Sequence, residues 1–189
     1  GHALIYSSYF APMRTNLSSP KGEPTKASYI FTTTLLGLIN RKNPDMLAVA
    51  MDSKEKSFRS DIFPEYKAQR PPMPEDMPQQ IDRIEQILEA MKIPILRVEK
   101  YEADDVIGTL AEKAVKEGIE TYICSGDKDM LQLIEENVFV YDIKKDSVKD
   151  LNWLETEKQM SPAQFLDALA LMGDTADNIP GVPDVGPKT

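Results

Sequence analysis

Short apolar runs alternate along this chain with segments whose apolar residues recur at helical spacing. We predict buried strands at residues 3–6, 46–51, 93–98, 121–124 and 138–141. We predict helices at residues 25–40, 78–91, 102–115, 127–134 and 162–172, the last capped by Ser161. Strands that alternate with helices favour an α/β domain with a mostly parallel central sheet flanked by helices. The polar segment 144–158 gives no clear pattern.

Acidic residues stand where the predicted strands end or the predicted helices begin. They are Asp52, Glu102, Asp104, Asp105, Asp127, Asp129, Asp174 and Asp177. Because ligand sites of parallel sheets form beyond the carboxyl ends of the strands, we expect these carboxylates to converge. Taken alone, each acidic cluster is better explained by helix capping or by the helix dipole. Their joint occurrence favours a metal site, because converging carboxylates need cations to offset their mutual repulsion.

The ligand chemistry narrows the choice of metal and of reaction. His2 is the single histidine, which excludes a histidine-based zinc centre or catalytic triad. Hard oxygen ligands instead favour two or more Mg²⁺ or Mn²⁺ ions. Two such ions can activate a water molecule and stabilise a leaving oxygen, which is the chemistry of phosphate-ester hydrolysis.

A local concentration of basic residues indicates what kind of molecule the chain binds. The net charge of −9 argues against a nucleic-acid partner, but residues 54–70 hold five basic and three acidic side chains. Arg59, Lys67 and Arg70 can contact phosphates, and the interspersed aromatic residues, Tyr66 among them, can stack on bases of a single strand. The same segment is equally typical of a solvated basic loop. The glycine-rich segment 181–189 predicts a turn that can approach a phosphate, or a turn alone.

Several general expectations follow from the composition. No apolar run is long enough to span a bilayer, and we find no signal peptide. Cys124 is the single cysteine and lies in an apolar run, so we expect a buried thiol and a reducing cytoplasm. The length of 189 residues suits one substantial core, and we expect a monomer.

Four motifs carry a resemblance to a known family. The segments YEADDVIGTLA, SGDKDMLQL, FRSDIFPEYKAQRP and LMGDTADNIPGVP resemble the 5′-nuclease domain of bacterial DNA polymerase I, in the flap endonuclease superfamily with its PIN-like fold. The resemblance runs in order along the whole chain. It implies a two-metal, structure-specific nuclease that acts in replication and repair on DNA with 5′ flaps or 5′ ends at nicks. It also implies a place in the bacterial cytoplasm, at the nucleoid, and allows a fused polymerase domain.

The resemblance also implies roles for individual residues. It implies that the first metal ion is held by Glu102, Asp104, Asp105 and Asp127. It implies that the second ion is held by Asp129, Asp174 and Asp177, and that Asp52 is an outer ligand. Lys67 and Arg70 would act in catalysis on the scissile phosphate, Arg59 would contact a phosphate, and Tyr66 would stack on the terminal base. Gly181, Gly186, Lys188 and Thr189 would contact the duplex backbone, with a K⁺ ion at this hairpin.

The resemblance further implies how the chain is divided. Residues 1–159 would form the PIN-like core, with a helical arch over about residues 54–80 through which the 5′ strand passes. Residues 160–189 would begin a helix-hairpin-helix-like region that binds DNA.

Three departures from the family pattern qualify the expected activity. Relatives carry an Asp directly before GHALIY, and a chain without that residue is expected to be weakly active. Many relatives have Arg where Ser7 stands, and commonly Gly where Asp184 stands, so both positions weaken the expected DNA contacts. The alternatives are therefore a catalytically impaired DNA-binding fragment of the same fold and, because Asp127 follows a predicted strand, a phosphatase of the haloacid dehalogenase type.

Overall fold

The computed structural model describes residues 1–13 and 17–186. The elements, in order, are α1 (His2–Tyr9), α2 (Lys26–Lys42), β1 (Val49–Ala50), α3 (Phe58–Ile62), α4 (Met77–Ala90), β2 (Ile95–Leu96), α5 (Ala103–Lys116), β3 (Thr121–Cys124), a 3₁₀ helix (Lys128–Leu133), β4 (Val138–Asp142), β5 (Ser147–Lys149), α6 (Leu151–Lys158) and α7 (Pro162–Met172). Among the described residues, no helix is both long and apolar enough to cross a membrane.

The strands form two small sheets. β1 pairs with β2 in parallel, and β3 pairs with β4 in parallel, as the alternation of strands and helices predicts. β5 joins the second sheet antiparallel to β4. Over the described ranges, the hydrogen-bonded strands do not merge into the single central sheet that we predicted. The α/β class with parallel pairing is confirmed, and the division into two sheets is the correction.

Each sheet has its own apolar core. The first core lies between α1, α2, α4 and β1 and includes Ile5, Phe31 and Ile84. The second lies between α5, the 3₁₀ helix, β4, α6 and α7 and includes Val140 and Leu154. Full burial of one such side chain contributes about 1.5–3 kcal/mol, so these clusters fix the positions of the helix and strand ends that carry the acids.

The predicted strand at residues 3–6 is wrong, because the chain is helical there. Ile5 N donates to Gly1 O (3.0 Å), Phe10 N donates to Tyr6 O (3.0 Å), and the Ser8 hydroxyl donates to Leu4 O (2.8 Å). An apolar run of four residues cannot by itself distinguish a buried strand from a buried helix segment. Packing against α2 uses the helical face that buries Ile5 and Ser8.

The polar segment 144–158 contains two elements that we did not predict. Asp142 Oδ1 accepts from the backbone N–H groups of Lys144 and Lys145, which closes the turn between β4 and β5. Asp150 Oδ1 accepts from Trp153 N (2.7 Å) and so caps α6. Short polar side chains at turns and caps therefore organise this segment, without an apolar period.

Two further expectations differ from the structure in detail. β1 and β2 are two residues long, much shorter than the apolar runs at 46–51 and 93–98 that contain them. Cys124 is exposed, so the expected buried thiol is wrong. Side chains alternate between the two faces of a strand. The side chain of Ile123 on β3 packs in the core, so the next residue, Cys124, lies on the opposite face.

Residues 54–80 fold over the start of α5. Ser57 caps α3, and Phe58 N donates to Lys100 O (3.0 Å). Further along, Lys67 N donates to Asp177 O (2.9 Å), so this basic segment also contacts the loop after α7. The segment therefore lies against two of the predicted acidic clusters.

Candidate functional site

The N-terminus of α5 holds the first acidic cluster. Glu102 is the N-cap residue, and Asp105 Oδ2 accepts from Glu102 N (3.0 Å) in a capping box. Asp52, at the end of the 46–51 run, accepts from Ala103 N through Oδ1 (2.8 Å). Acidic groups are stabilised at a helix N-terminus, where the backbone N–H groups are unpaired. Local helix chemistry thus gathers these carboxylates at one point.

Arg59 binds Asp105 through both ends of its guanidinium group. Its two terminal nitrogens donate to Asp105 Oδ2 (2.8 Å) and Oδ1 (2.7 Å). The hydrogen bonds from Arg59 hold the pKa of the Asp105 carboxyl below its usual range. A bidentate arginine–carboxylate pair is stronger and more directional than a lysine contact. α3 is thereby fixed to the start of α5.

Glu102 and Asp177 meet at two side chains of the basic segment. The Tyr66 hydroxyl lies 3.0 Å from Glu102 Oε2 and 3.1 Å from Asp177 Oδ2, and it donates its one proton to either. Lys67 Nζ lies 2.7 Å from Glu102 Oε2 and 3.7 Å from Asp177 Oδ2. Arg70 forms an ion pair with Asp177 Oδ1. Burial and the charges of both carboxylates raise the pKa of Tyr66, so it stays a donor.

The remaining acids lie around the 3₁₀ helix. Asp127 caps it, with Oδ1 accepting from Asp129 N (3.0 Å). Lys128 Nζ lies 3.3 Å from Asp174 Oδ2, and Asp174 Oδ1 accepts from Ala176 N (2.7 Å). Asp129 Oδ1 is buried and has no hydrogen-bond partner within the described part of the chain. Burial, followed by the charge of Asp127, raises the pKa of Asp129.

Electrostatic coupling shows which acids are neighbours. Asp104 is exposed overall, yet partial desolvation of its carboxyl and the charges of Asp127 and Asp52 raise its pKa to about 6. Glu102 contributes to the same shift. The charges that raise the pKa of Asp129 come from Asp127 and from two further acids, namely Asp174 and Asp177. Acids from separate segments therefore act on one another's ionisation: Asp52, Glu102 and Asp127 act on Asp104, and Asp127, Asp174 and Asp177 act on Asp129.

The carboxylates also test whether a metal would fit. No three histidine, cysteine or acidic side chains of residues 1–13 and 17–186 are arranged to hold one ion. Basic side chains take up several of the oxygens instead, as Lys67 does at Glu102 and Lys128 does at Asp174. The donor set nevertheless consists of hard oxygens, and the unpartnered Asp129 Oδ1 and the high pKa of Asp104 are both features that a bound cation would relieve. The chemistry of the donor set therefore suits a hard divalent cation, and the described carboxylates would have to rearrange to hold one.

The predicted DNA-contacting residues are placed less favourably. Tyr66 is only 8% exposed, so in this conformation its ring cannot stack on a base. The guanidinium group of Arg59 is engaged by Asp105. Asp184 adopts φ +64°, a left-handed conformation that favours glycine.

The hairpin is only partly described. A Cβ at Gly181 would overlap the carbonyl oxygen of Met172, so this glycine lets the hairpin pack against the end of α7. A Cβ at Gly186 would meet open space. Lys188 and Thr189 lie outside the described residues.

Sequence reasoning missed four side chains at this site. His2 Nδ1 lies 3.1 Å from Asp52 Oδ2, and Lys128 pairs with Asp174 as described above. Gln69 Nε2 donates to Asn178 Oδ1 (2.6 Å), and Asn178 Nδ2 donates to Glu65 O (2.9 Å). Neutral amides carry no charge pattern that would mark them, although an asparagine among turn residues is a typical site of left-handed backbone.

Two family models match the chain. One describes the 5′-3′ exonuclease N-terminal resolvase-like domain and matches residues 1–165. The other describes the 5′-3′ exonuclease C-terminal SAM fold and matches residues 160–189. Together they cover the whole sequence and agree with the resemblance of the four motifs.

Individual relatives agree with the family models. DNA polymerase I of Chloroflexus aurantiacus is 43% identical over 195 residues, which cover 100% of this chain and 21% of the relative. A 5′-3′ exonuclease of Aquifex aeolicus is 42% identical over 189 residues, which cover 100% of this chain and 65% of the relative. The chain thus spans about a fifth of the polymerase and just under two thirds of the exonuclease.

A solved structure shares the fold. It is the flap endonuclease of bacteriophage T5 in a pseudo-enzyme-product complex with DNA and metal ions. Its TM-score is 0.73 at 21% identity, over 98% of this chain and 69% of the T5 protein. With both family models and these relatives in agreement, the chain belongs to the 5′-3′ exonuclease family and has the fold of its resolvase-like domain.

Proposed function

We propose that this chain is the nuclease part of a structure-specific 5′ nuclease that hydrolyses DNA phosphodiester bonds with divalent metal ions. One observation carries the proposal. Glu102 of the α5 cap and Asp177 of the loop after α7 meet at Tyr66 and Lys67 of the basic segment. An acidic site therefore lies directly beneath cations that can contact a phosphate, as a metal-dependent nuclease requires.

The acids would hold two ions in the arrangement that the family resemblance implies. Glu102, Asp104, Asp105 and Asp127 would hold the first ion. Asp129, Asp174 and Asp177 would hold the second, and Asp52 would support the first group from its hydrogen bond to Ala103 N. Hard carboxylate oxygens favour Mg²⁺ or Mn²⁺. When bound, the two ions supply an activated water and stabilisation of the leaving oxygen.

The chain's own cations would act on the substrate. Lys67 and Arg70 lie at the acidic site, where they would hold the scissile phosphate and offset the charge that develops on it. Arg59 would bind a neighbouring phosphate at the base of the 54–80 segment. Tyr66 would stack on the terminal base only after its hydroxyl leaves Glu102 and Asp177. The basic segment therefore has to shift when DNA binds.

The substrate would be DNA with 5′ flaps or with 5′ ends at nicks. The 54–80 segment would form the arch for the 5′ strand, and the hairpin that includes Gly181 and Gly186 would hold the duplex backbone, with Lys188, Thr189 and a K⁺ ion. We further propose a monomer in the bacterial cytoplasm. The family allows a fused polymerase domain in the whole protein, since some relatives are named DNA polymerase I and others 5′-3′ exonuclease.

One observation favours a second candidate, a catalytically impaired DNA-binding fragment. In the described part of the chain Glu102, Asp105 and Asp177 are paired with basic side chains, and the acids form no group able to hold a metal. A chain that keeps this arrangement would bind DNA without cutting it.

Cleavage of an end-labelled 5′-flap oligonucleotide with Mn²⁺, and with EDTA as the blank, separates these candidates. We expect Mn²⁺-dependent cleavage, and an Asp127→Asn variant that binds the flap normally but cuts it far more slowly. Asp167→Asn, at an exposed position on α7, is the matched control and should cut at the rate of the unchanged chain. Binding of flap DNA without cleavage under any Mn²⁺ concentration would support the impaired fragment instead.

A further inference from the structure

The turn at residues 65–70 is attached to the loop at 174–179 by contacts between neutral groups. Lys67 N donates to Asp177 O (2.9 Å). Gln69 Nε2 donates to Asn178 Oδ1 (2.6 Å), and Asn178 Nδ2 donates to Glu65 O (2.9 Å). The single amide of Asn178 therefore holds both sides of this turn. These bonds need no ionised group on either side.

The backbone at both ends of this contact is unusual. Lys67 has φ +57° and Asn178 has φ +58°, and both values lie in the left-handed region. Residues other than glycine keep this conformation when surrounding contacts determine it. The two residues are held by contacts with each other's segments, so the turn and the loop are set as one unit.

The same turn carries basic side chains that reach the acids, and Arg70 also contacts the loop through Ala176 O (3.4 Å). Lys67 Nζ lies at Glu102 and Arg70 at Asp177 Oδ1. Both carboxylates are mostly shielded from solvent, with side chains 14% and 18% exposed. A shielded carboxylate needs a partner of opposite charge. A lysine or arginine nitrogen and a divalent ion would therefore compete for the same oxygen atoms.

We propose that Gln69 and Asn178 form a latch that keeps Lys67 and Arg70 on the acidic site until divalent ions displace them. The inference rests on the proposed function in one respect, namely that Glu102 and Asp177 help to hold ions. Ion binding would then open the 65–70 turn and free the two cations for the phosphate. Gln69 and Asn178 are positioning residues in this scheme, because they act through Lys67 and Arg70.

Hydrogen exchange of the 189-residue chain, without DNA, tests the latch. We expect amides of residues 63–73 to exchange slowly in EDTA and at least several-fold faster with saturating Mn²⁺. Gln69→Ala and Asn178→Gly should exchange fast already in EDTA, and glycine at 178 keeps the left-handed backbone without strain. The matched control is Gln86→Ala, which removes an exposed amide contact to Arg83 on α4 (3.0 Å).

Mn²⁺ affinity, measured from the electron paramagnetic resonance signal of the free ion, is the second readout. The latch variants should bind Mn²⁺ about fivefold more tightly, because the ion no longer has to break the latch. This factor corresponds to the net free energy of about one hydrogen bond. A merely structural role for these amides would leave the affinity unchanged or weaken it.

The outcomes separate this inference from the proposed function. Two results would overturn the latch alone. One is Mn²⁺ binding without faster exchange at residues 63–73, and the other is latch variants that bind Mn²⁺ with the affinity of the unchanged chain. Failure of the chain to bind Mn²⁺ would overturn both proposals. Exchange and affinity as expected, in a chain that cuts no DNA, would uphold the latch and count against the nuclease.

Discussion

Asp104 differs from its neighbours at the start of α5. Glu102 and Asp105 each contact a basic side chain, at 2.7 Å in both cases. Asp104 instead faces the charges of Asp127 and Asp52, and its pKa is raised from 3.8 to about 6 by desolvation and by these charges. The raised pKa means that the fold favours the protonated carboxyl. This contribution to stability is complete below pH 3.8, the ordinary pKa of the group, and is lost as the pH rises through 6, its pKa in the folded protein. At neutral pH its ionised form therefore destabilises the metal-free fold.

We predict that Asp104→Asn stabilises the metal-free protein at pH 7.5. The full shift corresponds to about 3 kcal/mol, and solvent screening of this exposed side chain reduces the expected gain in unfolding free energy to about 1 kcal/mol. The gain should shrink towards zero near pH 4, where the native carboxyl is protonated. Urea unfolding in EDTA at the two pH values measures it.

The control for this prediction is Asp82→Asn, at an exposed position on α4. It should change the unfolding free energy little at either pH. An Asp104→Asn variant that is no more stable at pH 7.5, or equally more stable at both pH values, would refute the electrostatic coupling between Asp104, Asp127 and Asp52.

Single residues also show what the sequence can and cannot predict. We singled out the acids because strand ends and helix N-termini are marked by local pattern, and carboxylates at those points are expected to converge in an α/β fold. Gln69 and Asn178 were not recognisable, because a hydrogen bond between neutral amides of distant segments leaves no local pattern. The burial of Tyr66 was likewise missed, since it depends on Glu102 and Asp177 closing over its hydroxyl.

At the scale of elements, helices with a clear amphipathic period were predicted well. α2 and α4 lie within two residues of their predicted bounds, and α7 begins at Pro162 after the Ser161 cap. The apolar run at residues 3–6 was wrongly predicted as a strand, because a helix and a strand can both bury so short a segment. Elements held by polar turns and caps, such as β5 and α6, have no apolar period to read.

The junction between α7 and the hairpin makes a testable prediction at this scale. Gly181→Ala should lower the unfolding free energy by about 1–3 kcal/mol, because the added methyl would overlap the carbonyl oxygen of Met172. Gly37→Ala on α2 is the matched control. Its added methyl meets open space, and the helical substitution should raise the unfolding free energy by about 0.5–1 kcal/mol. Denaturant unfolding of both variants compares them, and equal effects would contradict the close packing at Gly181.

At the scale of the whole molecule, two small sheets with separate cores carry the helix and strand ends at which the acids stand. The parallel pairing followed from the alternation of apolar runs and helices. The separation into two sheets could not be predicted, because the apolar runs at 46–51 and 93–98 suggested longer strands than β1 and β2. Pairing partners are chosen by tertiary packing, which period and composition do not encode.

The central claim is that acids from separate segments together hold two divalent ions. Anomalous diffraction from a crystal of this chain soaked in Mn²⁺ tests it most directly. We predict two peaks about 4 Å apart, one beside Asp104 and Asp127 and the other beside Asp129 and Asp174, with Lys67 displaced from Glu102. Absence of any Mn²⁺ peak at saturating concentration, with Lys67 still on Glu102, would contradict the account.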